Sequence, residues 1–169
     1  MFFSKDMIMY AFISIIIVAA LAVGMPKLSS MKVISKATNI TDTVGTLRVI
    51  ANQYIAVSTT QDLQNINVGT LSDNNLIPGN YTITGTGDDS YVVGSFDSKI
   101  KFYITDPYSS STSAGNYVKI KVDASGLGYD SKDMQTLENK LKSNLEGAGG
   151  TVEDYESSGA DGVISVVFG

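Results

Sequence analysis

The chain has 169 residues, 43% of them apolar, and a formal net charge of −5. That is enough for one globular domain with an appendage, and the acidic balance lacks the basic footprint that displaces counterions from phosphate, so no nucleic-acid partner is expected. With no histidine and no cysteine, imidazole acid–base chemistry, catalytic triads, structural zinc and disulfides are excluded, and neither a catalytic residue nor a cofactor nor a metal site is expected.

The first element is the run MIMYAFISIIIVAALAVGMP at residues 7–26, with one serine and no charge. At helical rise it covers about 30 Å, the hydrocarbon thickness of a bilayer. A buried core helix in so small a domain would not be apolar on every face. A cleaved signal peptide has Lys5 as a positive flank and Ala20-Leu21-Ala22 as a cleavage pattern in its favour. We read the segment as retained: residues 1–28 form a hydrophobic membrane or filament-core helix, and residues 29–169 form a head. Lys27, Lys32 and Lys36 follow the run, whereas Lys5, opposed by Asp6, precedes it. Taken literally, the positive-inside rule then places the head in the cytoplasm. The polar, strand-rich remainder has the character of an exported domain, and a basic leader removed ahead of Met1 would reconcile the two.

Helical periodicity continues past the run. Met31, Ile34, Ala37, Val44, Leu47, Ala51 and Tyr54 fall on one face with Thr41, and Lys32, Lys36, Asn39 and Thr43 on the other. A helix from about Phe3 to Ala56 would measure roughly 80 Å. Gly24 and Pro26 interrupt it, since proline removes a backbone hydrogen bond and clashes with the preceding turn; a bend or locally melted stretch is expected there in an assembled state.

Residues 58–90 read as a connector. Thr59 or Thr60 caps a short helix through Asn65, and turns fall at Gly69, Asp73-Asn74-Asn75 and Pro78-Gly79-Asn80. A short edge strand follows at Tyr81–Thr84. Strands are then predicted over residues 91–96, 99–105 and 117–123, joined by a polar loop at Ser109–Gly115. In the latter two strands Ile100, Phe102, Ile104, Val118, Ile120 and Val122 alternate with lysines and tyrosines, the pattern of antiparallel strands with one wet face. A helix runs from Asp130 to Glu146, capped by Asp130 or Ser131 and stopped by Gly147, with Met134, Leu137, Leu141 and Leu145 as its apolar stripe. Residues 151–155 form a further strand. Residues 162–168 are apolar on both faces, so this last strand should be central or covered. The amphipathic half of the long helix covers the sheet, giving an α+β head.

Other motifs carry less. Gly85-Thr86-Gly87 and Gly126-Leu127-Gly128 lack the lysine and hydroxyl of a phosphate loop and read as turns. Asp88-Asp89 and the group Asp154, Glu156 and Asp161 offer oxygen ligands without EF-hand spacing and read as solvated acidic loops. The sequons Asn39-Ile40-Thr41 and Asn80-Tyr81-Thr82 occur at chance frequency for this composition.

An acidic residue near a short polar N-terminus, an unbroken apolar helix, an amphipathic continuation and a strand-rich head together resemble the type IV pilins. The type IVb subclass is the most similar. Its mature chains often begin with methionine, as Met1 does. Its heads carry a strand ending in a Gly-Leu step and a helix starting Cys-x-x-Leu; here Val122-Asp123-Ala124-Ser125-Gly126-Leu127 is followed by Met134-Gln135-Thr136-Leu137. Leu71 to Asn80 is similar to the family's αβ-loop. The family's disulfide is absent, leaving the C-terminal strand to packing or an ion, and Asp6 stands where the family has a glutamate at position five. The resemblance implies a structural subunit of an extracellular filament, drawn from an inner-membrane pool by pilus assembly machinery and forming a helical homo-oligomer. Met1, Asp6, Gly24 and Pro26 are the implied assembly residues, with Asp6 pairing to the α-amino group of Met1 on an adjacent copy. A pseudopilin of a type II secretion system and a membrane-anchored surface binding domain are the alternatives.

Overall fold

A computed structural model describes the backbone of residues 5–57, 66–105, 117–153 and 161–169, with side chains from Ser30 onward. Its first element, α1, is one helix from Lys5 to Val57, 53 residues long. The helical backbone runs through Gly24 and Pro26; the bend or melted stretch is an expectation for an assembled state.

From Val33 onward α1 has a single buried seam. Val33, Ala37, Ile40, Val44, Leu47 and Ala51 are each at most 1% exposed and are spaced 4-3-4-3-4, the rhythm that keeps one helix face inward. This corrects the predicted face. Met31 and Ile34, expected inside, are 66% and 46% exposed, and Thr43, expected outside, is buried. Two apolar rows compete along this helix, and the one with uninterrupted spacing meets the later helix at Ser131–Gly147 and the sheet. Thr43 tolerates burial because its Oγ1 donates to the Asn39 carbonyl at 2.9 Å, which satisfies the hydroxyl locally.

The connector helix differs from expectation as well. The proposed cap at Thr59 or Thr60 and the helix through Asn65 lie outside the described residues, as does the Ser109–Gly115 loop. The observed helix, α2, spans Val68–Asp73 and is capped by Asn67, whose side chain accepts from the Thr70 amide at 2.8 Å. Gly69, predicted in a turn, is inside α2. Its amide donates to Ser90 Oγ at 2.8 Å, and a Cβ there would sit 3.1 Å from Asn67 Oδ1. Glycine is used here for close approach.

Among the described residues six antiparallel strands follow: β1 Thr82–Thr84, β2 Tyr91–Val93, β3 Lys101–Thr105, β4 Val118–Asp123, β5 Thr151–Glu153 and β6 Val163–Phe168, in the order β1-β2-β3-β4-β6-β5. The pairs Val92↔Phe102, Phe102↔Val122 and Val122↔Ile164 put one row of apolar side chains on a common face. The predicted alternation in β3 and β4 is observed, and β6, as expected, is central, with five consecutive residues buried. The helix α3, Ser131–Gly147, begins on Asp130, whose carboxylate accepts from the Asp133 amide at 2.8 Å. It ends later than predicted, because the left-handed turn falls at Gly149 (φ +84°) and not at Gly147. The three helices share one side of the sheet: α2 touches β1 and β2, α1 touches β4 and α3, and α3 touches β5 and β6. The fold is α+β.

The C-terminal strand has a polar latch. Met134 is buried with Leu137. One turn on, Glu138 is only 4% exposed, and its Oε1 accepts from the Gly162 amide at 2.8 Å. The Gly162 carbonyl in turn accepts from the Ala124 amide at 2.7 Å. With φ at +81° and a Cβ that would lie 2.8 Å from the Ser125 nitrogen, residue 162 must be glycine. One residue ahead of β6, the chain is thereby tied to both α3 and the end of β4. Burial pushes the Glu138 carboxyl above its ordinary range; the Gly162 N–H opposes this and the nearby Asp161 charge reinforces it.

Two outcomes follow. A fragment starting at Ser29 keeps every described core residue and should be soluble, monomeric and cooperative in melting. Because the folded state holds the Glu138 proton more tightly than the unfolded chain does, stability should fall as pH rises from the ordinary glutamate range into the raised one. Glu138→Gln keeps the acceptor and should flatten that decline. Glu138→Ala strands a buried N–H and should cost about 1–3 kcal/mol in urea titrations.

Candidate functional site

Met1 lies outside the described residues. Asp6, Gly24 and Pro26 are helical in backbone, and their side chains are not among those described. Among the described residues no helix is long and apolar enough to cross a membrane; the side chains of residues 7–26 are outside that set.

Among the described residues, the second half of α1 lines a groove. Met31, Lys32, Ser35, Lys36 and Asn39 form one wall of a groove of about 560 Å³. Asp97 and Lys99, ahead of β3, form the facing wall, with Leu127 and Tyr129 from the turn after β4. The walls are pinned by an ion pair: Lys36 Nζ lies 2.6 Å from Asp97 Oδ2, and the ammonium sits 5.5 Å from the centroid of Phe96. Asp97 Oδ1 accepts from the Lys99 amide at 2.9 Å, which shapes the tight turn into β3. Burial works against the Asp97 charge, but the Lys36 hydrogen bond, the Lys99 N–H and the two lysine charges outweigh it, so its pKa is lowered. The Gly126-Leu127 step has a steric reason, since a Cβ on Gly126 would sit 2.9 Å from the Lys99 carbonyl oxygen. Only glycine lets this turn close against the β3 approach.

Lys32 and Lys99 are exposed and make no ion pair among the described residues. Three lysines and one carboxylate leave the groove with two surplus positive charges, in a chain whose net charge is −5. The groove was not legible as a site from the sequence. Met31 had been placed in the core, Lys99 on an ordinary strand face, and nothing local links Lys36 to a partner 61 residues away. The weak signals were Lys32 and Lys36 one turn apart and the Asp97-Ser98-Lys99 turn.

The remaining motifs disperse. Gly85 and Gly87 take positive φ in the β1–β2 turn, and Asp88 Oδ1 accepts from Asn67 Nδ2 at 3.1 Å. Asp161 caps the start of β6 through the Val163 amide at 2.8 Å, while Asp154 and Glu156 lie outside the described residues. Among the described residues no three metal-ligating side chains come together. Asn39 stands on the groove wall and Asn80 is exposed in the turn before β1. On the outer sheet face Tyr91 and Tyr103 pack at 5.4 Å, with Lys101 and Lys121 over their rings. No known protein family, curated protein or solved structure matches the chain.

The groove's ion pair titrates opposite to Glu138. A lowered Asp97 pKa supplies stability that is present above the ordinary aspartate range and lost as pH falls through the lowered value. Asp97→Asn should therefore cost about 1 kcal/mol at neutral pH. It should also soften the acid limb of a melting-temperature profile.

Proposed function

We propose that the protein is the structural subunit of an extracellular type IV pilus-like filament. The observation that carries this reading is α1 itself. It is a 53-residue helix whose described core contacts begin only at Val33, while its residues 7–24 are uncharged and, apart from Ser14, apolar or glycine. Such a segment is compatible with lipid or with copies of itself and with little else. In lipid it anchors the subunit in the inner membrane; among copies, packing without competing water assembles them into a helical homo-oligomer with the heads outside. The head supports this role by using the second half of the same helix as its core, so that force on the filament axis reaches the sheet through continuous backbone. No enzymatic step is part of this function.

Asp6 is the assembly residue with the sharpest chemistry. A carboxylate at an apolar helix end is costly to desolvate unless paired. Lys5 is adjacent in sequence, and helix neighbours one residue apart do not face each other. The α-amino group of Met1 on the neighbouring copy is the partner of the right charge, and this pairing sets axial register. Asp6→Ala and Asp6→Lys should leave folded subunit in the membrane with few or no fibres in sheared supernatants viewed by electron microscopy. Abundant fibres of unchanged symmetry from Asp6→Lys would sink the pairing. A wild-type chain that never yields fibres, but whose loss blocks secretion, would replace the pilus reading with a pseudopilin.

A further inference from the structure

We propose that the groove between α1 and the β3 approach docks the anionic headgroup of a phospholipid in the membrane that α1 enters. The inference rests on the reading of residues 7–26 as a membrane segment. Met31 lies five residues past Pro26, about 7.5 Å along the helix, and a headgroup layer occupies roughly the first 5–8 Å outside the hydrocarbon. The membrane-proximal rim of the groove, at Met31 and Lys32, therefore meets the outer edge of that layer, and Ser35, Lys36 and Asn39 follow about 14, 15 and 20 Å past Pro26.

Its chemistry fits that layer. Lys32 and Lys99 come from two different elements, are exposed, and have no ion-pair partner among the described residues. The third ammonium, on Lys36, is already held by Asp97 at 2.6 Å and keeps the walls in place. The volume of about 560 Å³ accommodates a headgroup extending outward from that layer, with the Ser35 hydroxyl on the same wall beyond Lys32. Met31, 66% exposed, gives the rim an apolar residue facing the glycerol and upper acyl region. A soluble anion needs only the lysines; the apolar rim and the position next to the apolar run favour lipid. The proposal also gives Lys32, one of the lysines that conflict with the positive-inside rule, a binding role in an exported head.

The test uses the full chain in nanodiscs of phosphatidylcholine, with and without phosphatidylglycerol, and reads the amine acetylation rate of each lysine by mass spectrometry. Lys32 and Lys99 should each be acetylated roughly fivefold more slowly when phosphatidylglycerol is present. Lys101 and Lys121, on the opposite sheet face, serve as internal controls and should change little. A second readout is the melting temperature of the head, which should rise with phosphatidylglycerol in the wild type and not in Lys32→Gln/Lys99→Gln. Equal protection of all four lysines would mean a diffuse surface potential and overturn the site. Equal protection by soluble glycerol phosphate in phosphatidylcholine discs would overturn the lipid commitment, and protection that grows with protein concentration in phosphatidylcholine alone would assign the groove to a second copy. A chain anchored in both discs but labelled identically overturns this inference alone. A chain that fails to enter either disc overturns the membrane reading beneath it too.

Discussion

The architecture depends on one long helix, α1, whose second half is built into the core. From Val33 to Ala51, α1 turns a single 4-3-4-3-4 seam inward and packs against both β4 and α3. Ahead of Val33 the same helix continues without a break in backbone. The head cannot be built without that seam, because the apolar face of β4 and the facing side of α3 would otherwise meet water. Arg48 reinforces the contact at its far end. Its guanidinium lies 4.4 Å from the Phe168 ring and donates to the Ala148 carbonyl at 3.1 Å, joining α1 to the last strand and to the end of α3. Helix, sheet and C-terminus are thus tied together by noncovalent contacts alone.

The latch at Glu138 shows how a head of this size manages without a disulfide. A crosslink acts mainly on the unfolded chain, restricting its conformations. A buried hydrogen bond acts on the folded state and only while its geometry holds. Gly162 must therefore be glycine, and Glu138 must remain buried although its charge is penalised there. The two carboxylates singled out in the head also pull in opposite directions with pH, one buried without a cation and one fixed by a lysine.

Much of the fold was legible because it follows from period. Alternation in β3 and β4, the stripe on α3 and the two-faced apolarity of β6 each reported the buried side directly. The α1 face was misread for a physical reason. Periodicity identifies candidate rows on a helix, and which row is buried depends on what packs against it; Thr43 could enter the core only because its hydroxyl bonds to its own helix. The groove was illegible for a related reason. Its ion pair joins residues 61 positions apart, and its shape depends on Gly126 passing close to the Lys99 backbone, neither of which leaves a local pattern. Gly149 took the stop expected of Gly147 because the last carbonyls of α3 are satisfied one turn later, through the Gly150 amide bonded to Leu145 at 3.0 Å.

The sheet order puts β1 and β5 at the two edges, and each is only three residues long. An edge offers unpaired backbone donors and acceptors to any neighbouring chain, and the hazard grows with the length that can be matched. In the proposed membrane pool, where copies would stand side by side in one plane, the hazard would be strand-to-strand fusion of neighbouring heads. Edges this short offer few consecutive hydrogen bonds to an intruding strand. Lateral crowding should leave these sheets separate, and any ordered contact between heads must then be made by side chains.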